Sequence, residues 1–516
     1  MNPDPAAAPS ADRITPSVAT MRISGGIGML LALTTLLVLR TATGLLSLLD
    51  ALAEVSLEIM PMGVFSALLG LFQSNAKAAL LGGLIFALTI LGGLTGPLLR
   101  PTTGRHWLSL TRAVRTTTLV SAVGIGFLYW AVALRDSAGF TNRDLVVAML
   151  CIVAGGIVYG FGTPLIGRLL STPARSASGE PRRIGRRQAA GAIAGVLALI
   201  PLSLLGREVE RTRRGGLINE RRGDGISSPI TSNADFYTIS SNFLDPTGDG
   251  GPDWRLTVDG MVDRPLSLQL ADLQTLADPA AAVTLNCISN EIGGPLIGTA
   301  MWDAAPLARV LAEASPQPGV VDVVFHGRDG YTDSIPLATA LAPAARLAWT
   351  MNGEPLPSRH GAPLRALVPG IYGIKSVKWL ERIELVAQDH QGYWQQRDWT
   401  DDGTIKPISR FDVPIDRGMR SAGPIEIGGI AWAGLPGVAR VEVSTDDGET
   451  WLPAEITARP GDYSWVVWRL NWTATPGTYD LVVPLIDGTG TIQPDDGDSP
   501  LPDGASGWHR ITVGVI

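Results

Sequence analysis

The sequence predicts a membrane-spanning α-helical region followed by an α+β domain and then an all-β domain, and three observations carry that expectation. Apolar residues gather into runs near the ~20 residues that a spanning helix needs, all in the first two fifths of the chain. Beyond residue 235, short alternating strands with Gly, Pro and Asp turns recur among brief helical stretches. From Pro424 onward only strand-like runs remain. At 516 residues the chain is too long for one core.

Residues 1–22 are polar and rich in Ala, Pro and Ser, the composition of a disordered tail. Five apolar runs follow within 23–206, at 23–49, 78–99, 116–134, 145–169 and 189–205, each read as a transmembrane helix. The stretch 55–72, with Glu54, Glu58 and Pro61 in or beside it, reads better as an interfacial amphipathic helix. Arginines crowd the segments 100–115 and 167–187, so both are expected in the cytoplasm. One span after Arg187 then leaves the cytoplasm, which places the C-terminal portion outside in a multi-pass plasma-membrane protein.

Arg186-Arg187, followed by a moderately apolar Ala- and Gly-rich run, resembles a twin-arginine export signal. An arginine pair is equally an ordinary positive-inside flank. A domain that must take up a complex cofactor before crossing gives the export reading its reason. Arg40 falls at the outer end of the first run, where snorkelling or pairing with Glu54 or Glu58 accounts for it. All 5 histidines lie outside the apolar runs, so paired axial imidazoles for a b-type haem are not available there. Electron transfer through the bundle would need a quinone or a partner protein.

A charged linker at 207–234 leads to the α+β domain, 235–410. Residues 254–258, 321–325 and 377–386 read as strands and Leu307–Ala314 as a helix. The alternating run 282–286 reads as a half-buried strand that ends at Cys287, the one cysteine outside an apolar run, with a Gly-Gly-Pro loop beyond it. The other cysteine, Cys151, lies in a span, so no disulfide framework exists. The net charge of −7 is acidic in the second half, which lacks the basic footprint of a nucleic-acid binder. No GxGxxG, Walker, HExxH or paired-cysteine zinc pattern occurs.

Several ordered blocks resemble the molybdopterin domain of the sulfite oxidase family. They are Trp254 to Val258 with Gly260, the Cys287 loop, Gly298-Thr299-Ala300-Met301-Trp302, Met351-Asn352-Gly353-Glu354-Pro355, His360-Gly361-Ala362-Pro363-Leu364-Arg365, and the stretch from Val368 to Trp379. The resemblance implies a mononuclear molybdenum held by a pterin dithiolene and by the Cys287 thiolate, a soft ligand suited to a sulfur-bound metal. It places Phe236, Tyr237, Asn242, His360, Arg365, Ser376 and Lys378 around the pterin and its phosphate, with backbone N–H groups of the turn 373–376 assisting. It also puts Tyr331 near the metal's oxygen ligands and Trp302 at the pocket wall, both as catalytic candidates. For Tyr331 the competing account is a buried phenol satisfying a backbone carbonyl.

The departures from that pattern bear on substrate. Where sulfite oxidases carry anion-binding arginines, this chain has Glu291-Ile292 and Ser240-Ser241-Asn242, so sulfite would lose its bidentate partners and meet a carboxylate. Neither a cytochrome b5-like domain nor a CxxCH haem site is present in the sequence.

The last portion, 411–516, reads as an immunoglobulin-like sandwich with strands at 425–433, 439–444, 465–472 and 479–486. It resembles the same family's C-terminal domain, which dimerises in soluble relatives. The expectation is a membrane-anchored molybdenum oxidoreductase that moves an oxygen atom and two electrons between water and a small-molecule substrate, with quinone or an electron-transfer protein as partner. The alternative is a non-catalytic binding or sensory module that keeps the fold.

Overall fold

The computed structural model describes residues 16–43, 76–99, 114–125, 142–171, 225–241 and 245–516 apart from 247 and 249, with isolated positions between 52 and 64. The chain divides into two compact units, Met1–Glu210 and Arg211–Ile516.

In the first unit the described helices are α1 (Val18–Thr43), α2 (Ala76–Thr95, continued by a 3-10 turn at Gly96–Leu99), α3 (Val114–Ile125) and α4 (Asn142–Ser171). Three of them hold segments long and apolar enough to cross a membrane, at Val18–Leu39, Ala79–Leu99 and Met149–Gly167. The five expected spans are thus met by three. The run 116–134 is described only as the shorter α3, and 189–205 lies outside the described residues, as do Arg186-Arg187 and most of 55–72. Glycine lets α1 and α2 meet at backbone distance: a Cβ on Gly25 would lie 2.1 Å from the Gly92 carbonyl oxygen. Tyr159 on α4 donates to that same carbonyl at 3.1 Å and sits 2.6 Å from the Thr95 hydroxyl, tying α4 to α2.

The second unit opens with strands β1 (Leu256–Gly260), β2 (Leu266–Leu268), β3 (Asp278–Asn286), β4 (Ile297–Pro306), β5 (Asp322–Gly327), β6 (Thr332–Pro336), β7 (Arg346–Ala348), β8 (Thr350–Met351), β9 (Glu354–Pro355), β10 (Arg365–Leu367) and β11 (Leu380–Val386). They form two principal sheets, ordered β2-β1-β11-β5-β6 and β10-β7-β4-β3, with β8 and β9 as a hairpin. Helix α5 (Leu307–Ala314) buries Leu307, Val310, Leu311 and Ala314, the i, i+3, i+4, i+7 face that anchors it to the main core. A separate apolar cluster joins Phe236, Tyr237, Val283, Leu285, Cys287 and Trp302.

The remaining strands are β12 (Ile408–Val413), β13 (Met419–Arg420), β14 (Gly423–Trp432), β15 (Val438–Val443), β16 (Leu452–Ala458), β17 (Val466–Ala474), β18 (Gly477–Val483), β19 (Leu485–Asp487) and β20 (His509–Val515). Two sheets, β12-β14-β17-β16-β15-β19 and β13-β20-β18, enclose a core of Ile427, Val441, Trp468, Leu481 and Val513. The expected strand 479–486 is split at Pro484, which has no N–H to give a ladder, and its second half pairs with β15 instead.

Candidate active site

Cys287 follows the last residue of β3. The strand was expected to be half buried, yet every residue from Ala282 to Cys287 is buried. The cause is the second β-domain: Thr284 donates its N–H to the Tyr463 carbonyl at 2.9 Å, and its hydroxyl accepts the Trp465 N–H at 2.7 Å. Beyond Cys287 the chain closes a tight loop. The Cys287 N–H donates to the Leu296 carbonyl at 2.9 Å, and Asn290 accepts the Leu296 N–H on its side-chain oxygen at 2.7 Å. Gly293, at φ 74°, supplies the left-handed turn. The thiol lies 3.0 Å from the Ser289 hydroxyl. Burial pushes its pKa up against the opposing Ser289 bonds, so the apolar surroundings favour the uncharged thiol.

Around this thiol the fold gathers residues from distant stretches. Phe236 stacks on Tyr237 with ring centroids 5.4 Å apart and meets the edges of Trp302 and His360 at 6.0 and 5.7 Å. The Arg365 guanidinium lies 5.4 Å from the Trp302 ring centroid. Arg365 is buried and donates to backbone carbonyls alone, His360 at 3.0 Å, Ser376 at 3.1 Å and Ala366 at 3.5 Å. No carboxylate reaches it among the described residues, and burial draws its pKa down to about 10. His360 is held neutral, its pKa lowered to about 3 by burial and then by the Arg365 and Arg359 charges. Its Nε2 faces the Asn233 carbonyl at 3.2 Å, which assigns the proton to that nitrogen and leaves Nδ1 as an acceptor.

Other expected residues take different positions. The Ser376 hydroxyl accepts the Val368 N–H at 3.1 Å, so its part is to brace the turn that orients Arg365. Trp302 is buried with its N–H 3.3 Å from the Val283 carbonyl, the placement of a wall. Lys378 lies with its ammonium 4.1 Å from the Trp379 ring centroid. Asn242 lies outside the described residues. The Tyr331 hydroxyl stands 2.9 Å from the Ile374 carbonyl and 2.9 Å from Asp333, so the carbonyl contact weighed above is present. In the turn 373–376 the N–H groups of Lys375 and Ser376 are spent on the Tyr372 and Gly373 carbonyls, so a backbone contribution to a phosphate falls to Gly373 and Ile374.

Sequence reasoning also passed over several groups. Lys375 is buried between Asp333, at 3.1 Å, and the half-exposed Asp401, at 2.8 Å. Tyr372 is buried, near enough to Cys287 to share its field, with its pKa raised to about 12 chiefly by burial. Both stand in the block 368–379, but nothing in their spacing distinguishes them from core residues.

The residues present fit an anionic, hydrogen-bonding ligand. Arg365 is a buried cation answered by no acid, and two further buried polar atoms nearby, the Asn286 side-chain carbonyl oxygen and the Thr238 hydroxyl, have no hydrogen-bond partner among the described residues. With the Cys287 sulfur in the same cluster as Trp302, beside which Arg365 lies, this donor set suits a phosphorylated pterin carrying a thiophilic metal.

Fold and donor set together define a molybdopterin oxidoreductase. Comparison with known proteins bears this out: residues 245–394 match the oxidoreductase molybdopterin binding domain and residues 404–515 the Mo-co oxidoreductase dimerisation domain. The chain is 35% identical over 292 residues to the mitochondrial sulfite oxidase of Rattus norvegicus, covering 47% of this chain and 53% of that one. It is 31% identical over 285 residues to the sulfite oxidase of Arabidopsis thaliana, covering 46% and 72% respectively. Among solved structures it is similar to the sulfane dehydrogenase SoxCD from Paracoccus pantotrophus, with TM-score 0.47, 24% identity, and 52% of this chain and 76% of that chain covered. The chain belongs to the sulfite oxidase family, whose cofactor is molybdopterin. It spans about half the length of the first curated relatives that it matches.

Proposed function

We propose that this chain is a membrane-anchored molybdenum oxidoreductase whose active site is extracytoplasmic and takes a small, neutral oxygen-atom donor or acceptor. The observation that carries the reading is the buried Arg365, without a carboxylate partner among the described residues, lying over Trp302, which shares a buried cluster with Cys287. In it, Cys287 is the protein's ligand to the metal. Arg365, with Lys378, would answer the cofactor's phosphate, His360 would offer Nδ1 as an acceptor, and the Phe236–Tyr237 stack and Trp302 would wall the site and exclude water. When bound, the cofactor supplies two-electron oxygen-atom transfer. Tyr331 holds its phenolic proton beside the site through Asp333.

A neutral substrate such as an S- or N-oxide follows from the surrounding charges. Lys375 is answered by two aspartates, and the Cys287 loop carries the acidic side chain of Glu291 where the family's sulfite oxidases carry an arginine. Three apolar helices support anchoring in the membrane, the twin-arginine pair supports export after folding, and quinone or a redox protein exchanges the electrons. The dimerisation-domain match supports a homodimer. The domain limits 235–410 and 411–516 and a five-span bundle belong to the same reading. The test is turnover of sulfoxides, N-oxides and sulfite with a dye electron carrier. Turnover of a neutral oxide that Cys287→Ser abolishes supports the reading, and turnover of sulfite alone refutes the neutral-substrate assignment.

A further inference from the structure

The loop that presents Cys287 is gripped from the second β-domain. Arg410, on β12 and 2% exposed, donates to the Gly294 carbonyl, to Asp412 at 3.1 Å and to the Ser227 hydroxyl at 3.4 Å. Asp412 in turn accepts the Ser227 N–H at 2.9 Å. One residue earlier in the loop, the His509 ring from β20 lies against Gly293 so closely that a Cβ there would fall 2.4 Å from Nε2. His509 is itself fixed, its Nδ1 accepting the Phe411 N–H at 3.0 Å, and burial lowers its pKa to about 4, so it packs as a neutral ring.

From Gly294 the path to the thiol is short. A Cβ on Gly294 would lie 2.6 Å from the Asn290 side-chain oxygen, the atom that accepts the Leu296 N–H; the Leu296 carbonyl accepts the N–H of Cys287 itself. Displacing Gly294 therefore displaces both ends of the loop. We propose that Arg410 and His509 are positioning residues for Cys287, so that the second β-domain sets the place of the metal-binding thiol in addition to any role in dimer formation. The thiol's placement stands on these contacts alone, and its consequence for catalysis rests on Cys287 being the metal ligand.

The test uses full-length protein in detergent, from molybdenum-starved cells, in a Cys151→Ser background, with iodoacetamide as the probe of Cys287. Arg410→Lys keeps a charge for Asp412 but cannot also serve Gly294 and Ser227, and His509→Phe keeps a ring and loses the acceptor. Each is expected to leave the fold in place and to speed alkylation, by about tenfold for Arg410→Lys, because local opening governs access to a buried thiol. Alkylation at the parent's rate in both folded variants overturns the proposal, as does a lowered thermal midpoint without a change in thiol rate. Should the variants not fold, hydrogen exchange in the parent decides. Amides over 287–296 are expected to exchange as slowly as those of β3, and exchange as fast as the turn at Asp446–Gly448 overturns the proposal. Metal content of Cys287→Ser separately tests the ligand assignment.

Discussion

Arg365 and Arg410 are buried to nearly the same degree, at 5% and 2% exposure, and differ in what answers their charge. Arg410 meets the Asp412 carboxylate and holds three segments of chain together, whereas Arg365 meets carbonyls alone. A buried cation answered by carbonyl dipoles alone gains less from its surroundings than one answered by a carboxylate. Arg410 is thus architecture, whereas on the proposed reading Arg365 answers the cofactor's phosphate.

The sharpest way to break this contrast is to neutralise each in turn. Arg410→Met takes from the buried Asp412 its guanidinium and should cost about 3–5 kcal/mol in urea unfolding. Arg365→Met on cofactor-free protein should cost only about 1–2 kcal/mol, the worth of the lost carbonyl bonds, while abolishing pterin retention. Equal losses would erase the distinction. Lys375→Met extends the architectural class and should cost on the order of 3 kcal/mol, because Asp333 is buried although Asp401 is half exposed.

Acid separates the regions less strongly. His360 and His509 have folded-state pKa values lowered to about 3 and about 4, below the ordinary 6.5. The unfolded chain then binds more protons below pH 6.5, so their stability contribution is present above that pH and is lost as pH falls toward 4 and then 3. Each imidazole should contribute about 1 kcal/mol per pH unit to that slope. His509→Phe should remove its share of the slope in cofactor-free protein, read from urea midpoints between pH 4 and 6.5. The smallest effect expected is that of Trp302→Phe, about 1 kcal/mol, since it surrenders one 3.3 Å hydrogen bond and part of a cation–π contact.

What could be read in the sequence followed range of contact. Leu307–Ala314 was legible as a helix because its 3.6-residue pattern is local, and Cys287 because a strand signal ends at it. His360 and Arg365 were marked by the family resemblance alone; in the structure the Arg365 guanidinium donates to the His360 backbone carbonyl. The Arg410–Gly294 contact joins residues 116 apart, and no local pattern announces it. The burial of both faces of β3 from Ala282 onward was hidden for the same reason, since its outer cover comes from Tyr463 and Trp465. Lys375 was overlooked beside Lys378 because a lysine's partners are set by tertiary structure, here by Asp333 and Asp401.

The central claim, that Cys287 and Arg365 together hold a molybdenum cofactor, is tested most directly by metal and pterin analysis of protein purified from molybdenum-replete cells. About one molybdenum and one pterin per chain are expected, with molybdenum lost in Cys287→Ser and both lost in Arg365→Met. Folded protein that carries neither, or a Cys287→Ser variant that keeps its molybdenum, would contradict it.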